Sequence, residues 1–270
     1  MVSVRYLRHR LSKTRVRAPF IWLRHRGLRP DDVLIASYPR SGNTWLRFLL
    51  AEILTTQSSE FQTIDQVIPE VGNHHRAVRI LPRGGRLIKS HEPYRKEYQR
   101  AVYLVRDPRD VMLSEYTYYR SLQLYGKEMD AFLLQFLKGK ANGYGTWVNH
   151  VDSWLKVARG NDRHFFVVKY EELRRKTEDI LDGILDFLHV QVSRSTMREA
   201  IRNNSIDRMR AKEQNALDTV FRSIRENGRF VDKGIVGDWV GKLSSQQEQL
   251  IESCAGEVLT RLGYPTGNAK

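Results

Sequence analysis

Residues 33–45 read VLIASYPRSGNTW, and the fold follows from the turn in the middle of that stretch. Val33–Tyr38 is a short apolar, β-branched run after Pro30, Asp31 and Asp32, the pattern of a buried strand. Pro39–Gly42 breaks it. From Asn43 the period changes: Leu46, Leu49, Leu50, Ile53 and Leu54 mark one face of an amphipathic helix. In a strand–loop–helix unit the first backbone N–H groups of the helix are unpaired and converge on a point where an anion can sit. Gly42 lets the backbone approach a phosphate closely, and Ser41, Asn43 and Thr44 add short donors. Arg40 adds a permanent charge whose planar fork suits phosphate or sulfonate. The loop is not a Walker A motif, because it has one glycine and no lysine after it.

Outward from this unit the pattern repeats. Residues 55–85 are polar and read mostly as loop, then Arg86–Lys89 as a brief strand. Ala101–Val105 is a second buried-type strand, and Asp107-Pro108 opens a helix towards Leu122, with Asp as N-cap and Pro at the first helical position. His164–Val168 is a further strand, and spacing predicts helices near 143–158, 178–188 and 244–262. Strands alternating with helices predict an α/β fold with a central parallel sheet flanked by helices. With no repeat or linker in view, one domain is expected over residues 31–265.

The chain has 270 residues, 41% of them hydrophobic and 28% charged, which excludes a disordered chain. Its net charge is +14, unevenly placed. Residues 1–30 carry nine basic side chains and no acid, leaving 36 Lys and Arg against 31 acids for the remainder. This basic N-terminal arm also holds Phe20, Ile21, Trp22 and Leu23, a mixture that suits either an anionic membrane surface or a solvated arm packing Trp22 onto the domain. A single cysteine, Cys254, excludes an internal disulfide framework and a multi-cysteine zinc site, and fits a reducing cytoplasm. Without a run of about 18 apolar residues no helix is expected to span a membrane, and no secretory signal is expected.

Two further segments carry candidate chemistry. Arg106 ends a strand, and Ser114 follows two turns into the next helix. Both can bind a phosphate, and Arg109 could equally do so. Ile88–Pro93 reads IKSHEP, which sets His91 just past a strand as a candidate base, with Glu92 as a second. His91-Glu92 is not a zinc motif, because Arg95 stands where the second histidine would, and His74 and His75 lack partners at metal spacing.

The stretch YPRSGNTW resembles the 5′-phosphosulfate loop of sulfotransferases that use 3′-phosphoadenylyl sulfate (PAPS), and further matches follow in order over roughly residues 31–262. The resemblance implies a P-loop nucleotide-kinase-like domain and transfer of a sulfonate from PAPS to an acceptor hydroxyl or amine, releasing adenosine 3′,5′-bisphosphate (PAP), with no metal. It implies Arg106 and Ser114 at the 3′-phosphate, and His91 as the base in a Lys-Ser-His version of the family's Lys-Thr-His. Arg40 and Lys89 would stabilise the transferring group. Trp45 and Tyr170 match residues at the adenine, and Ser205 matches within Asn204-Ser205-Ile206, where Ile206 replaces an aromatic. Lys233 and Gly234, before Gly237-Asp238-Trp239, match the closing loop. There Asp232 replaces an arginine, a loss that Arg229 could offset. The family's dimer motif is absent, its positions being Val240, Ser244-Ser245 and Gln249.

The competing readings are a P-loop-like kinase using ATP, which lacks its lysine here, and a basic module for membrane or nucleic acid. The ordered anion loops leave nucleic acid unexpected as a partner. The acceptor, a small molecule, glycan or lipid, would meet variable loops near 59–85, 120–145 and 210–228 and the tyrosines of 116–119.

Overall fold

The computed structural model describes residues 17–126, 128–216, 228–231 and 234–267, with only the backbone of 17–20. Four strands form one all-parallel sheet: β1 (Val33–Ser37), β2 (Leu87–Ser90), β3 (Arg100–Val105) and β4 (Phe165–Lys169), in the order β2-β1-β3-β4. Register pairs Ile35 with Lys89 and with Val102, and Val105 with Lys169, so the carboxyl ends of all four strands lie along one edge.

The described helices are α1 (Arg17–His25), α2 (Asn43–Thr55), α3 (Ile64–Val67), α4 (Pro108–Ser121), α5 (Met129–Leu137), α6 (Trp147–Ala158), α7 (Tyr170–Arg175), α8 (Thr177–Leu188), α9 (Arg194–Asn203), α10 (Ile206–Gln214) and α11 (Ser245–Arg261). They cover both faces of the sheet, and the strands show why. Leu34, Ala36, Tyr103 and Val105 join one core with Trp147, Trp154 and Phe136, while Val33, Ile35, Val102 and Leu104 join the other with Leu46, Leu49 and Ile184. Alternation along each strand thus feeds two apolar layers, as a doubly covered parallel sheet requires. At the amino ends of the strands a buried pair, Arg86 to Asp32 at 2.6 Å, ties β2 to the entry of β1.

Asp107 caps α4 by accepting from the Arg109 N–H at 2.9 Å. The polar stretch 55–85 is less irregular than expected, since it contains α3 and two short turns of 3-10 helix. Part of the expected arm is helical and docked: His25 on α1 is buried, and its Nε2 meets the Tyr98 hydroxyl at 2.5 Å. Trp22 does not pack onto the domain, being 62% exposed. Among the described residues no helix is long and apolar enough to cross a membrane.

Candidate functional site

β1 lies between β2 and β3, so the crossovers from it and back leave on opposite sides. The crevice beyond its carboxyl end is where open α/β sheets bind ligands. Each strand delivers a candidate residue there: the 38–42 loop follows β1, His91 follows β2, Arg106 follows β3 and Tyr170 follows β4. They line one cavity of about 360 Å³ together with Arg40, Thr44, Trp45, Lys89, Ser114 and Gly234.

Gly42 is the hinge of the loop. Its φ is 94°, and a Cβ there would stand 2.4 Å from Tyr170 Cδ2, so both backbone and space demand glycine. Ser41 is buried, and its Oγ has no hydrogen-bond partner. Arg106 Nε is likewise buried and unpartnered, although the rest of its guanidinium donates to the carbonyls of Arg40 and Ile235, each at 3.2 Å, and faces Asp110 at 3.4 Å. It also lies 4.5 Å over the Tyr170 ring. Buried donors left unsatisfied beside a cationic cradle are costly unless an anion completes them, so these residues fit an anionic nucleotide. Arg40, itself at φ 65°, donates from Nε to Ser114 Oγ at 3.0 Å and packs between the rings of Tyr118 and Phe230.

His91 is held from both sides. Its Nδ1 is 2.9 Å from the Ser37 carbonyl, an acceptor only, so Nδ1 carries the proton and the neutral ring keeps its lone pair on Nε2. Its own carbonyl accepts from His150 Nε2 at 3.1 Å, and His150 Nδ1 is 3.0 Å from the Tyr103 hydroxyl. Burial, then the neighbouring Lys89 ammonium, push the His91 imidazole well below its usual 6.5, against the opposing pull of Glu70. Burial alone brings His150 down to about 4, against its bonds to the carbonyls of His91 and Glu92.

Several candidates sit elsewhere than the sequence suggested. Asn43 does not donate into the cradle through its side chain, whose Nδ2 turns back to the Ile35 carbonyl at 2.9 Å and to Ser37 Oγ at 3.1 Å. It locks the loop to the strand, leaving only its backbone to the anion. Ser205 is exposed at the start of α10 and does not line the cavity, whereas Ile206 does. Arg109 is not a phosphate contact: it is 1% exposed, pairs with Asp107 at 2.6 Å and Glu252 at 3.1 Å, and lies over Trp239. Glu92 is buried outside the cavity lining. Arg229 is exposed and also outside it. Lys233 and Asp232 lie outside the described residues.

The sequence also missed contributors. Arg174, from α7, lies 4.7 Å over the Trp45 ring, and a Cβ on Gly234 would come within 3.5 Å of its NH2. Glu70, Asn142 and Tyr144 line the cavity from irregular segments, Tyr144 with its ring 5.8 Å from that of His91. Of the tyrosines expected at 116–119, Tyr118 and Tyr119 line it, while Tyr116 packs on Phe132. A second cavity of about 220 Å³ shares Arg106, Ser114 and Gly234 with the first. Among the described residues no three His, Cys, Asp or Glu side chains gather as a metal site.

Known proteins carry the same arrangement of elements. Sulfotransferase 2B1 of Mus musculus is 27% identical over 242 residues, covering 84% of this chain and 70% of its own. Sulfotransferase 2A6 of the same species is 25% identical over 260 residues, covering 89% and 87%. The structure of mouse sulfotransferase SULT7A1 complexed with PAP superposes with a TM-score of 0.68 at 25% identity, over 88% of this chain and 86% of that one. Retinol dehydratase, in complex with androsterone and PAP, shares the fold with a TM-score of 0.73 at 19% identity, over 91% and 85%. The sulfotransferase domain matches residues 30–263, from the entry of β1 to the end of α11, and the chain belongs to that family.

Proposed function

We propose that this sulfotransferase moves a sulfonate from PAPS to a hydroxyl or amine of a small acceptor, with His91 as general base. The observation that carries this reading is the meeting of His91, Lys89, Arg40 and Arg106 around one cavity, with Arg106 Nε buried and unpartnered and Ser41 Oγ likewise within the adjoining loop. PAPS supplies the activated sulfonate. The 38–45 loop would hold its 5′-phosphate by backbone N–H groups and Ser41, and Arg106 with Ser114 would hold the 3′-phosphate. Trp45 and Tyr170 would bound the adenine, and Arg174 supplies a cation near Gly234, where Asp232 removes one.

His91 Nε2 takes the acceptor proton as the acceptor forms its bond to sulfur and the bond from sulfur to the 5′-phosphate breaks. Lys89 and Arg40 stabilise the charge that gathers on the sulfonate and the departing phosphate, as fixed cations in a shielded site do best. Tyr118, Tyr119 and Tyr144 favour a flat, apolar acceptor beside His91. The test is transfer of labelled sulfonate from PAPS across phenols, sterols, sugars and lipids, with thermal stabilisation by PAP in the absence of Mg²⁺. Stabilisation by ATP·Mg²⁺ alone would defeat the reading.

Residues 31–265 form the proposed sulfotransferase domain in a cytoplasmic protein, a setting consistent with the free thiol of Cys254. Residues 1–30 are proposed to touch an anionic membrane surface. The support is the segment's cations, apart from Arg24, which is engaged with Glu70, together with Trp22 and Leu23, which are 62% and 57% exposed. Co-sedimentation that rises with the phosphatidylserine content of vesicles is the expected result, and binding indifferent to lipid charge would overturn it.

A further inference from the structure

Two adjacent residues of α1 grip two adjacent residues of β2, each through one intermediary. His25 reaches Tyr98, whose hydroxyl is 3.1 Å from Ser90 Oγ. Arg24 reaches Glu70 and, through it, Lys89. The guanidinium donates to Glu70 Oε1 at 3.2 Å and to the Val71 carbonyl at 2.8 Å, while Glu70 Oε2 faces Lys89 Nζ at 3.6 Å. One carboxylate is therefore divided between two cations, one oxygen to each.

The backbone fixes this arrangement. Val71 N–H donates to the Lys89 carbonyl at 2.8 Å, and Lys89 N–H donates to the Pro69 carbonyl at 2.9 Å, so residues 69–71 run as an added edge beside β2. Gly72 then clears the way for Arg24: its φ is 105°, and a Cβ there would press on Arg24 Nε at 3.0 Å. Lys89 and Glu70 both line the main cavity, whereas Arg24 precedes the family domain, which starts at residue 30.

We propose that Arg24 is a positioning residue for sulfonate transfer: it anchors Glu70, so that the carboxylate steadies the Lys89 ammonium without capturing it. The proposal rests on the role given to Lys89 above. The physical reason is competition. A carboxylate is bound by the cations that surround it. With Arg24 removed, Lys89 becomes the main one, and both oxygens can turn to it. The ammonium would then be drawn away from the cavity and its charge offset. Burial raises the Glu70 carboxyl, but the neighbouring charges of Lys89, His91, Arg24 and Arg47 together outweigh it and hold the group below the ordinary carboxyl range, so it is an anion at neutral pH.

The test compares Arg24→Ala, Arg24→Lys, Glu70→Gln and the double variant Arg24→Ala/Glu70→Gln, each in the full chain. The expected result is a fall of about fivefold in kcat for Arg24→Ala at unchanged KM for PAPS, the upper end of what a partly exposed ion pair is worth. Arg24→Lys should recover part of the loss, and the double variant most of it, because the amide cannot capture Lys89. Independently of turnover, labelling of the Lys89 amine by an acylating reagent should slow in Arg24→Ala and return to the parent rate in the double variant. Equal labelling in parent and Arg24→Ala, or a double variant as impaired as the single, overturns the proposal. A chain with no turnover on any acceptor but the expected labelling pattern would instead count against the function proposed above.

Discussion

The two sides of the main cavity are built differently. The side that faces the proposed nucleotide is made from strand ends: the loop after β1, Arg106 after β3 and Tyr170 after β4. Their positions are set by the sheet ladders, with β1 and β3 central and β4 at the edge, and two of the groups, Ser41 and Arg106, are buried with donors unspent. The other side draws Tyr118 and Tyr119 from the last turn of α4, and Asn142, Tyr144 and Phe230 from irregular chain. There the polar groups are already spent on one another: Asn142 Nδ2 donates to Glu115 at 2.7 Å and to the Tyr38 hydroxyl at 2.8 Å. A rigid side with unsatisfied donors suits a constant ligand, and an aromatic side with satisfied donors suits one chosen by shape. His91 stands where the two meet.

That junction should give the largest effect. His91→Ala is expected to lower kcat by about a thousandfold, the usual contribution of a positioned base, while PAP still raises Tm as in the parent. If turnover survives, the base lies elsewhere, and Glu92, buried outside the lining, gains nothing from that outcome unless its environment opens. On the nucleotide side Gly42→Ala should cost about 3 kcal/mol of stability in urea unfolding, from the left-handed backbone and the close approach of Tyr170, and should abolish PAP binding. A variant as stable as the parent would mean that the loop is softer than the strand ends that carry it.

The neighbouring arginines separate binding from scaffold. Arg106→Ala should weaken PAP binding about 30-fold, as loss of a charged donor pair does, and should also lower stability, because buried Asp110 keeps only the N–H groups of Gly237 and Trp239. Arg109→Ala should leave PAP affinity near that of the parent but cost about 3 kcal/mol of stability, because Asp107 and Glu252 lose a buried partner. Isothermal titration and urea unfolding on both variants check the pair, and a reversal of the two effects would exchange their roles.

The rigid side was also the legible one. Strand ends can be read because an apolar run stops abruptly, as before Pro39-Arg40, at Ser90 and at Arg106, and the residues at such a stop face the crevice. The sequence could not say that Asn43 turns inward to Ile35, nor which of Arg106 and Arg109 faces the cavity, because residues three apart on the entry to a helix differ only in direction. α1 was hidden by its arginines, which read as a charged arm until His25 and Arg24 are seen bonded to Tyr98 and Glu70. Glu70 carries no local signal at all. Its place comes from a single bridge to Lys89, formed by chain that reads as loop.

The smallest effect is the most diagnostic of where the two sides join. Burial and the Lys89 charge both work against a proton on His91, which keeps the imidazole neutral, with its lone pair available, through the physiological range. The effect on rate has a definite sign. A base with a lowered pKa loses activity only as pH falls well below 6.5, so kcat/KM should show no acid limb near neutrality. Binding PAP sets a phosphate anion against Lys89 and reduces the positive field at the ring, so the His91 midpoint should rise towards its ordinary value. A histidine NMR titration with and without saturating PAP measures this directly. His150 is the control, for its displacement to about 4 comes from burial with no charged neighbour, and it should not move. If His91 and His150 move together, the change is a general tightening of the fold on the ligand. Movement of His91 alone places the bound anion on the Lys89 side of the ring, where the nucleotide half of the cavity meets the aromatic half.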